Sequence, residues 1–372
     1  MVNITGGQNM SEIVFILGAG ASKEAGAPVM ADFLDKADEL RREGNLGDYK
    51  EDFDCVFNAI SALQVVHSKA DLDLDNIESV FAAFEMGKLI NRLGEMKGDT
   101  IDKLLFSIKR LIYITLEKTT LFPVKNTQVY PNDSYDKFVK LLLKLGSDGK
   151  LNRTSIITFN YDLSLDYALY FNRIPAYYGI NEEQKPGYMQ LLKLHGSLNW
   201  VRCPKCEEII PWNLEDYFKK FSWNRALLID IPSVMLCVAS HLEHFDNEHC
   251  KGEKIIPEPV IVFPTWNKTE HQHGIAKVWS RAALELSNAE NIFISGYSLP
   301  ESDLFFRYLF ALGSVGPNKI KRFWVFDPDK ENVEPRFRKL IGPGTTARFR
   351  FEQKKFGQAF EYLIHDLITS KE

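Results

Sequence analysis

The stretch Ile13-Val14-Phe15-Ile16-Leu17-Gly18-Ala19-Gly20-Ala21-Ser22 constrains this chain more than any other. Five apolar residues, β-branched and aromatic types among them, predict a buried strand. The run then breaks into five small residues, and Lys23 to Leu34 is predicted to continue as a helix. A strand, a small-residue turn and a helix start together suit a nucleotide phosphate. Small side chains let the backbone approach, and the N–H groups of the first helical turn point at the anion. A helix end adds roughly half a positive charge. On this reading Gly18 permits the tight turn, Gly20 the close approach, and Ser22 one further hydrogen bond. A plain glycine turn between strand and helix has the same pattern, so other residues must decide. The loop is not G-x-x-x-x-G-K-[ST], because no Lys-Ser or Lys-Thr closes it. That argues against an ordinary NTPase.

The 372 residues allow one large domain or two, and 45% hydrophobic with 26% charged residues fits a soluble globular chain. A net charge of −5 argues against a nucleic-acid surface. No apolar run approaches the ~18 residues of a membrane helix, and no signal-peptide pattern is present. The first ten residues are expected to form a loose leader. Five cysteines, two of them in Cys203-Pro-Lys-Cys206, fit a reduced cytoplasmic chain with a metal site better than a disulfide scaffold.

From Asp35 to about Gly149 the apolar residues fall at helical spacing. Ile77, Val80, Phe81 and Phe84 follow an Asp75-x-x-Glu78 pattern that resembles a capping box. Ile101, Leu104, Leu105, Ile108 and Ile112 repeat the stripe, as do Phe138, Leu141, Leu142 and Leu145. Strands return at Ser155–Phe159, Leu191–Leu194, Val260–Phe263, Ile292–Ser295 and Arg322–Phe326, each followed by small or polar residues. Short apolar strands separated by helices predict a Rossmann-like α/β fold, a doubly wound parallel sheet. The core is expected over 11–34, 150–200 and 256–372, with a large helical insertion at 35–149 and a small one at 201–255. A closing helix places Phe356, Phe360, Leu363, Ile364 and Leu367 on one face.

In such sheets ligands sit outside the carboxyl ends of the strands. Two polar clusters occur there. In Thr158-Phe-Asn160-Tyr-Asp162, alternate residues of an extended backbone share one face. Asn160 and Asp162 could hold ribose hydroxyls or a water, or could simply cap the next helix. His195, before Gly196-Ser197, is a natural general base near neutral pH, though a structural histidine is the plainer reading. Asp327 stands where acidic residues bind an adenosine ribose, or where a turn needs a cap before Pro328. His271-Gln-His273 reads as a solvated turn.

These motifs together resemble the sirtuin (silent information regulator) superfamily. Gly18-Ala-Gly-Ala-Ser22 is similar to its dinucleotide loop, and Ala25-Gly-Ala-Pro28 with Asp32-Phe33 to its Gly-Ile-Pro and Asp-Phe elements. Thr158-x-Asn160-x-Asp162, Leu194-His195-Gly196-Ser197 and Gly296-Tyr297-Ser298-Leu299 match in family order, over residues 15 to about 329. The resemblance implies NAD+ binding by Gly18, Ala19, Gly20, Ser22, Pro28, Asp32, Phe33, Thr158, Asp162, Gly296, Ser298 and Asp327, with Asn160 and His195 catalytic. It also implies a zinc-ribbon-like insertion. The family's second C-x-x-C is missing, so Cys203, Cys206 and Cys250 are the expected ligands of a structural zinc, with Cys237, His244 or His249 as the fourth. A degenerate ribbon with no metal is the competing reading.

Other features depart from sirtuin deacylases. Leu34 stands where those carry Arg after Asp-Phe, the preceding residues read Val29-Met30-Ala31, and the helical insertion is large. The segment from Pro257 to Lys268 is similar to sirtuin-like proteins of bacterial antiphage defence, which hydrolyse NAD+, some with a separate HerA-type ATPase. The expectation is therefore a cytoplasmic NAD+ hydrolase giving nicotinamide and ADP-ribose, held in check by a homo-oligomer or a HerA-type partner, with no direct contact to nucleic acid or membrane. The alternatives are an NAD-dependent protein deacylase and a non-catalytic NAD or ADP-ribose sensor.

Overall fold

The computed structural model describes residues 11–65, 72–147, 149–180, 187–245, 249–250, 254–262, 272–300, 303–316 and 318–364. Strand β1 (Ile13–Leu17) leads into a four-residue helix α1 (Ala19–Ser22). Then come α2 (Phe33–Glu43), α3 (Lys50–Val65), α4 (Ile77–Leu89), α5 (Asp99–Thr119), β2 (Leu121–Lys125), β3 (Gln128–Val129) and α6 (Asp133–Ser147). The chain continues through β4 (Thr154–Thr158), α7 (Ser164–Phe171), β5 (Ala176–Tyr177), β6 (Met189–Lys193), β7 (Gly196–Ser197), β8 (Trp200–Arg202), β9 (Ile209–Pro211) and α8 (Leu214–Lys220). Next are β10 (Ser233–Met235), β11 (Val260–Ile261), α9 (Gln272–Asn288), β12 (Asn291–Ser295) and α10 (Leu304–Gly313). The last elements are β13 (Arg322–Phe326), α11 (Lys330–Leu340), α12 (Pro343–Thr346), β14 (Phe349–Glu352) and α13 (Phe356–Ile364).

Seven strands form one sheet in the order β14-β13-β12-β1-β4-β6-β5. Every pairing in it is parallel. The chain builds outward from β1 through β4 and β6, then returns to β1's other side with β12, β13 and β14. The strand order therefore reverses at β1, which makes its carboxyl end the switch point of a Rossmann-like doubly wound sheet. β1 is buried on both faces. Val14 and Ile16 pack with α9, α10 and α11 residues such as Val278, Phe306 and Phe337, while Ile13, Phe15 and Leu17 pack with α6, α7 and α13. That two-sided burial explains why the strand reads as a continuous apolar run. Phe15 sits edge-on to Phe138 at 5.1 Å, so Phe15→Ala would cost about 3–5 kcal/mol.

Between β1 and β4, α2 to α5 form a separate apolar core with residues from 198 to 261. β10 joins β2 and β3 in a small antiparallel sheet, so two stretches distant in sequence meet there.

Four local expectations are corrected. Lys23 to Leu34 is not one helix: Gly26 takes φ 93° and ends a short 3-10 turn, and α2 starts only at Phe33. A Cβ at Gly26 would lie 2.3 Å from the Thr119 carbonyl oxygen. Val260–Phe263 is not a strand of the main sheet, since β11 pairs antiparallel with β7. Asn76, not Asp75, caps α4, its side chain accepting from the Glu78 N–H. Gln272 begins α9 rather than ending a turn. The leader, residues 263–268, His271 and Leu367 lie outside the described residues, as do the side chains of His273 and Ile364. Among the described residues, no helix is long and apolar enough to cross a membrane.

Candidate active site and cysteine–histidine cluster

The turn after β1 and the turn after β12 touch backbone to backbone. Gly20 N–H donates to the Gly296 carbonyl at 2.9 Å. A Cβ on Gly18 would lie 2.5 Å from the same oxygen, and one on Gly296 (φ 65°) would lie 2.2 Å from the Ala21 nitrogen. The glycines therefore let two loops close on each other at the switch point. Because α1 has only four residues, little helix dipole stands behind this turn.

A small cleft opens beside it. Its wall includes Ala19, Ser22, Pro28 and Phe33 from the first loop, Phe159 to Asp162 from the β4 turn, and Ile112 and Leu116 of α5. The lining is mostly apolar with a few convergent polar groups, the make-up of a small-molecule site.

Those polar groups form one network. Ser22 Oγ donates to Asp162 Oδ2 at 2.7 Å. A hydroxyl has a single proton. The Ser22 oxygen must then accept from Tyr135 OH at 2.7 Å and from Asn160 Nδ2 at 3.0 Å. Burial and the nearby Asp162 push the Tyr135 hydroxyl well above its usual pKa, so it stays protonated as a donor. With Nδ2 committed, the Asn160 amide has one orientation. Its Oδ1 is buried and has no hydrogen-bond partner among the described residues. Asn160, which lines the cleft, thus carries an uncommitted buried acceptor. Asp162 caps α7 through the Ser164 N–H at 2.9 Å, the plainer of its two readings, and its other oxygen holds Ser22.

The structure brings together Ala19, Ser22, Pro28, Phe33, Asn160 and Asp162 in the cleft wall. The other candidates are not among the lining residues. Thr158 Oγ1 ties β4 to the Leu17 carbonyl at 3.1 Å. Asp32 Oδ1 accepts from the Val29 N–H at 2.7 Å. The Ser298 carbonyl accepts from Arg336 at 3.2 Å. Asp327, its pKa raised by burial, accepts from the Asp329 N–H at 2.9 Å, the turn-capping role. His195 is 6% exposed. Its ring packs against Phe159 at 5.1 Å and Tyr161 at 6.1 Å, both of which line the cleft, and His195 is not itself among the lining residues. Gly196 (φ 90°) follows because a Cβ there would meet the Val260 carbonyl at 2.0 Å.

Sequence reasoning missed Tyr135 and a buried pair, Lys193 and Asp166. Tyr135 shares the apolar stripe of α6 and reads as core. Lys193 carried a signal, a charge ending an otherwise apolar strand, Met189-Gln-Leu-Leu-Lys193.

Away from the cleft, Cys203, Cys206, His249 and Cys250 place their ligand atoms within 4.8 Å of one another. Zn–S bonds of about 2.3 Å at tetrahedral angles put ligand sulfurs ~3.8 Å apart, so the donor set fits a closed zinc site. Cys206 Sγ and Cys250 Sγ lie 3.2 and 3.7 Å from His249 Nδ1. Glu208 meets the other ring nitrogen at 3.0 Å, as a carboxylate orients a liganding histidine. Backbone N–H groups of Cys206 and Lys205 hold the Cys203 thiol down to about 6, which favours the thiolate a metal needs. Of the three expected fourth ligands, His249 joins the group. Cys237 and His244 do not.

No protein-family model and no curated protein matches this sequence. Among solved structures the chain is similar to a Sir2 homologue in complex with NAD, at 16% identity over 96% of this chain and 90% of that one, with a TM-score of 0.43. It is also similar to a mutant Sir2 homologue in complex with ADP-ribose, at 15% identity over 97% and 94%, TM-score 0.43. A third likeness is to Sir2Tm bound to a propionylated peptide, at 15% identity over 95% and 92%, TM-score 0.38.

Proposed function

We propose that this chain is an NAD+ hydrolase that releases nicotinamide and ADP-ribose. The observation that carries the reading is the Asn160 carbonyl oxygen, buried, unpartnered and fixed as an acceptor in the cleft at the sheet's switch point. A ribose hydroxyl and an attacking water are both donors to such an oxygen. The sirtuin-like motifs supply the same residues in the same order.

The reaction breaks the bond between nicotinamide N1 and ribose C1′. The bonding pair leaves with nicotinamide, which becomes neutral, so no acid is needed on the leaving group. Water adds to the oxocarbenium-like C1′, and its proton passes to His195 as general base. Asn160 orients the water or the ribose hydroxyls, and Asp162 keeps Ser22 and the turn in register. Gly18, Gly20, Asp32, Thr158, Gly296, Ser298 and Asp327 would serve the phosphates and the adenosine half. Zinc at Cys203, Cys206, His249 and Cys250 would be structural, holding the 201–255 insertion together without touching substrate.

An unrestrained hydrolase would drain its own cell of NAD+. That cost favours a restrained state, released by an oligomer change or a HerA-type ATPase partner in antiphage defence. The test is nicotinamide release from NAD+ by the purified chain, beside His195→Ala and Asn160→Ala. Once that restraint is released, the wild type should release nicotinamide without any peptide, and each variant should lose about 10²–10⁴-fold while melting like the wild type; full-rate release by the purified chain alone would overturn the restraint. Release only with an acyl-lysine peptide would make it a deacylase. Binding without release, with or without partner and unchanged in His195→Ala, would make it a sensor.

A further inference from the structure

Lys193 is 1% exposed, at the carboxyl end of β6 and two residues before His195. A buried ammonium is expensive unless all three of its protons find acceptors. Here they do. Nζ meets Asp166 Oδ2 at 2.9 Å, the Asp162 carbonyl at 2.8 Å and the Tyr161 carbonyl at 3.4 Å. Two of the three acceptors are backbone atoms of the very turn that carries Asn160 and Asp162.

The connection continues from Asp166. Its Oδ1 accepts from Tyr178 OH at 2.6 Å, and Asn199 Nδ2 donates to that hydroxyl at 3.3 Å. Asn199 Oδ1 accepts from Ser197 Oγ at 2.7 Å, and Ser197 is two residues beyond His195. The Leu198 N–H donates back to the Tyr161 carbonyl at 3.1 Å. The bonds close a ring running from the Asn160 turn through Lys193, Asp166, Tyr178 and Asn199 to the His195 loop and back.

An apolar residue would end β6 more cheaply, because replacing a buried ion pair by apolar groups is often neutral or stabilising. What the pair adds is geometry. We propose that Lys193, with Asp166, is a positioning residue that fixes the Asn160 turn relative to the His195 loop. This inference rests on the hydrolase reading for its kinetic arm only.

The experiment compares wild type with the charge-free pair Lys193→Met/Asp166→Asn, which keeps an acceptor for Tyr178 and removes only the link to the turn. Thermal melting, ADP-ribose affinity, nicotinamide release and the ¹⁵N-asparagine spectrum are read together, with the Asn160 side-chain amide assigned through Asn160→Ala. The expected result is near-native melting and affinity, a fall of about 10²-fold in kcat with little change in KM, and a displaced Asn160 resonance. A folded variant with native kcat and an unmoved resonance overturns the proposal. If the wild type releases no nicotinamide even with the HerA-type partner supplied, the hydrolase reading fails, and the Asn160 resonance alone decides this one: moved upholds it, unmoved overturns it. If the pair does not fold, Tyr178→Phe opens the same ring without touching a charge. The same shift, smaller, upholds the proposal, and its absence sinks it.

Discussion

The cleft and the cysteine–histidine cluster are both candidate sites, and they are assembled in opposite ways. In the cleft, Ser22, Tyr135, Asn160 and Asp162 come from regular elements or the turns that end them, and Ser22 Oγ is hydrogen-bonded to each of the other three. The fold holds that site before any ligand arrives. In the cluster, Cys206 and His249 are exposed, and the four ligands come from two loops about 40 residues apart. Little besides a metal would hold them together. A site made by the fold should survive the loss of its ligand, whereas a site made by its ligand should not.

Zinc removal should produce the largest effect. Structural zinc is worth of order 10 kcal/mol in small zinc modules. Cys206→Ser, or a strong chelator, should strip one equivalent of zinc and speed amide exchange through 200–210. Amides at 158–164 should keep their protection. Parallel loss of protection in both regions would break the comparison, and a wild-type chain purified with no zinc would remove its premise.

The same contrast explains what could be read from sequence. β1, β4, β6, β12 and β13 were legible because strands buried on both faces carry short continuous apolar runs. The cleft residues after them were legible because polar groups ending such strands are conspicuous. The break at Gly26 was not, since Lys23–Leu34 has acceptable helical residues and only the Thr119 carbonyl, about 90 residues on, demands a glycine there. β11 read as a sheet strand because its composition does not record its partner. Tyr135 hid in the stripe of α6, and His249 could not be chosen over His244 or Cys237, because loop ligands carry no periodicity. Cys203, Cys206 and Cys250 needed only the count of cysteines.

Glu117 joins the two regions and sharpens the comparison. It lies one residue past the cleft residue Leu116 on α5, and its carboxyl accepts from the Ala239 N–H at 2.6 Å and the Ser240 N–H at 3.3 Å, in the segment between Cys206 and His249. Burial raises its pKa from 4.5 to about 7 despite those donors. The folded state then binds the proton more tightly than the unfolded chain. The stabilisation is complete below about pH 4.5 and is lost as pH rises through about 7. Roughly 3 kcal/mol is at stake. The melting temperature of the wild type should fall between pH 5 and 7.5 more steeply than that of Glu117→Gln. Equal slopes would show that this carboxyl does not titrate with folding.

The smallest predicted effect probes whether the cleft is as fully built as its hydrogen bonds imply. Tyr135→Phe keeps the ring against Phe356, 5.0 Å away, and removes only the hydroxyl. Ser22 Oγ then loses one of two donors but keeps Asn160 Nδ2 and its bond to Asp162, so the loss of stability should be about 1 kcal/mol. Asn160 loses its second, longer contact at 3.4 Å and gains freedom to rotate toward Ser22 alone. Nicotinamide release should fall several-fold, well short of the loss in Asn160→Ala, because the acceptor stays present but is less firmly aimed. A loss as deep as that of Asn160→Ala would mean that the Tyr135 hydroxyl itself faces the substrate. No loss at all would mean that Ser22 and Asp162 suffice to orient the amide, and that α6 contributes only its apolar face.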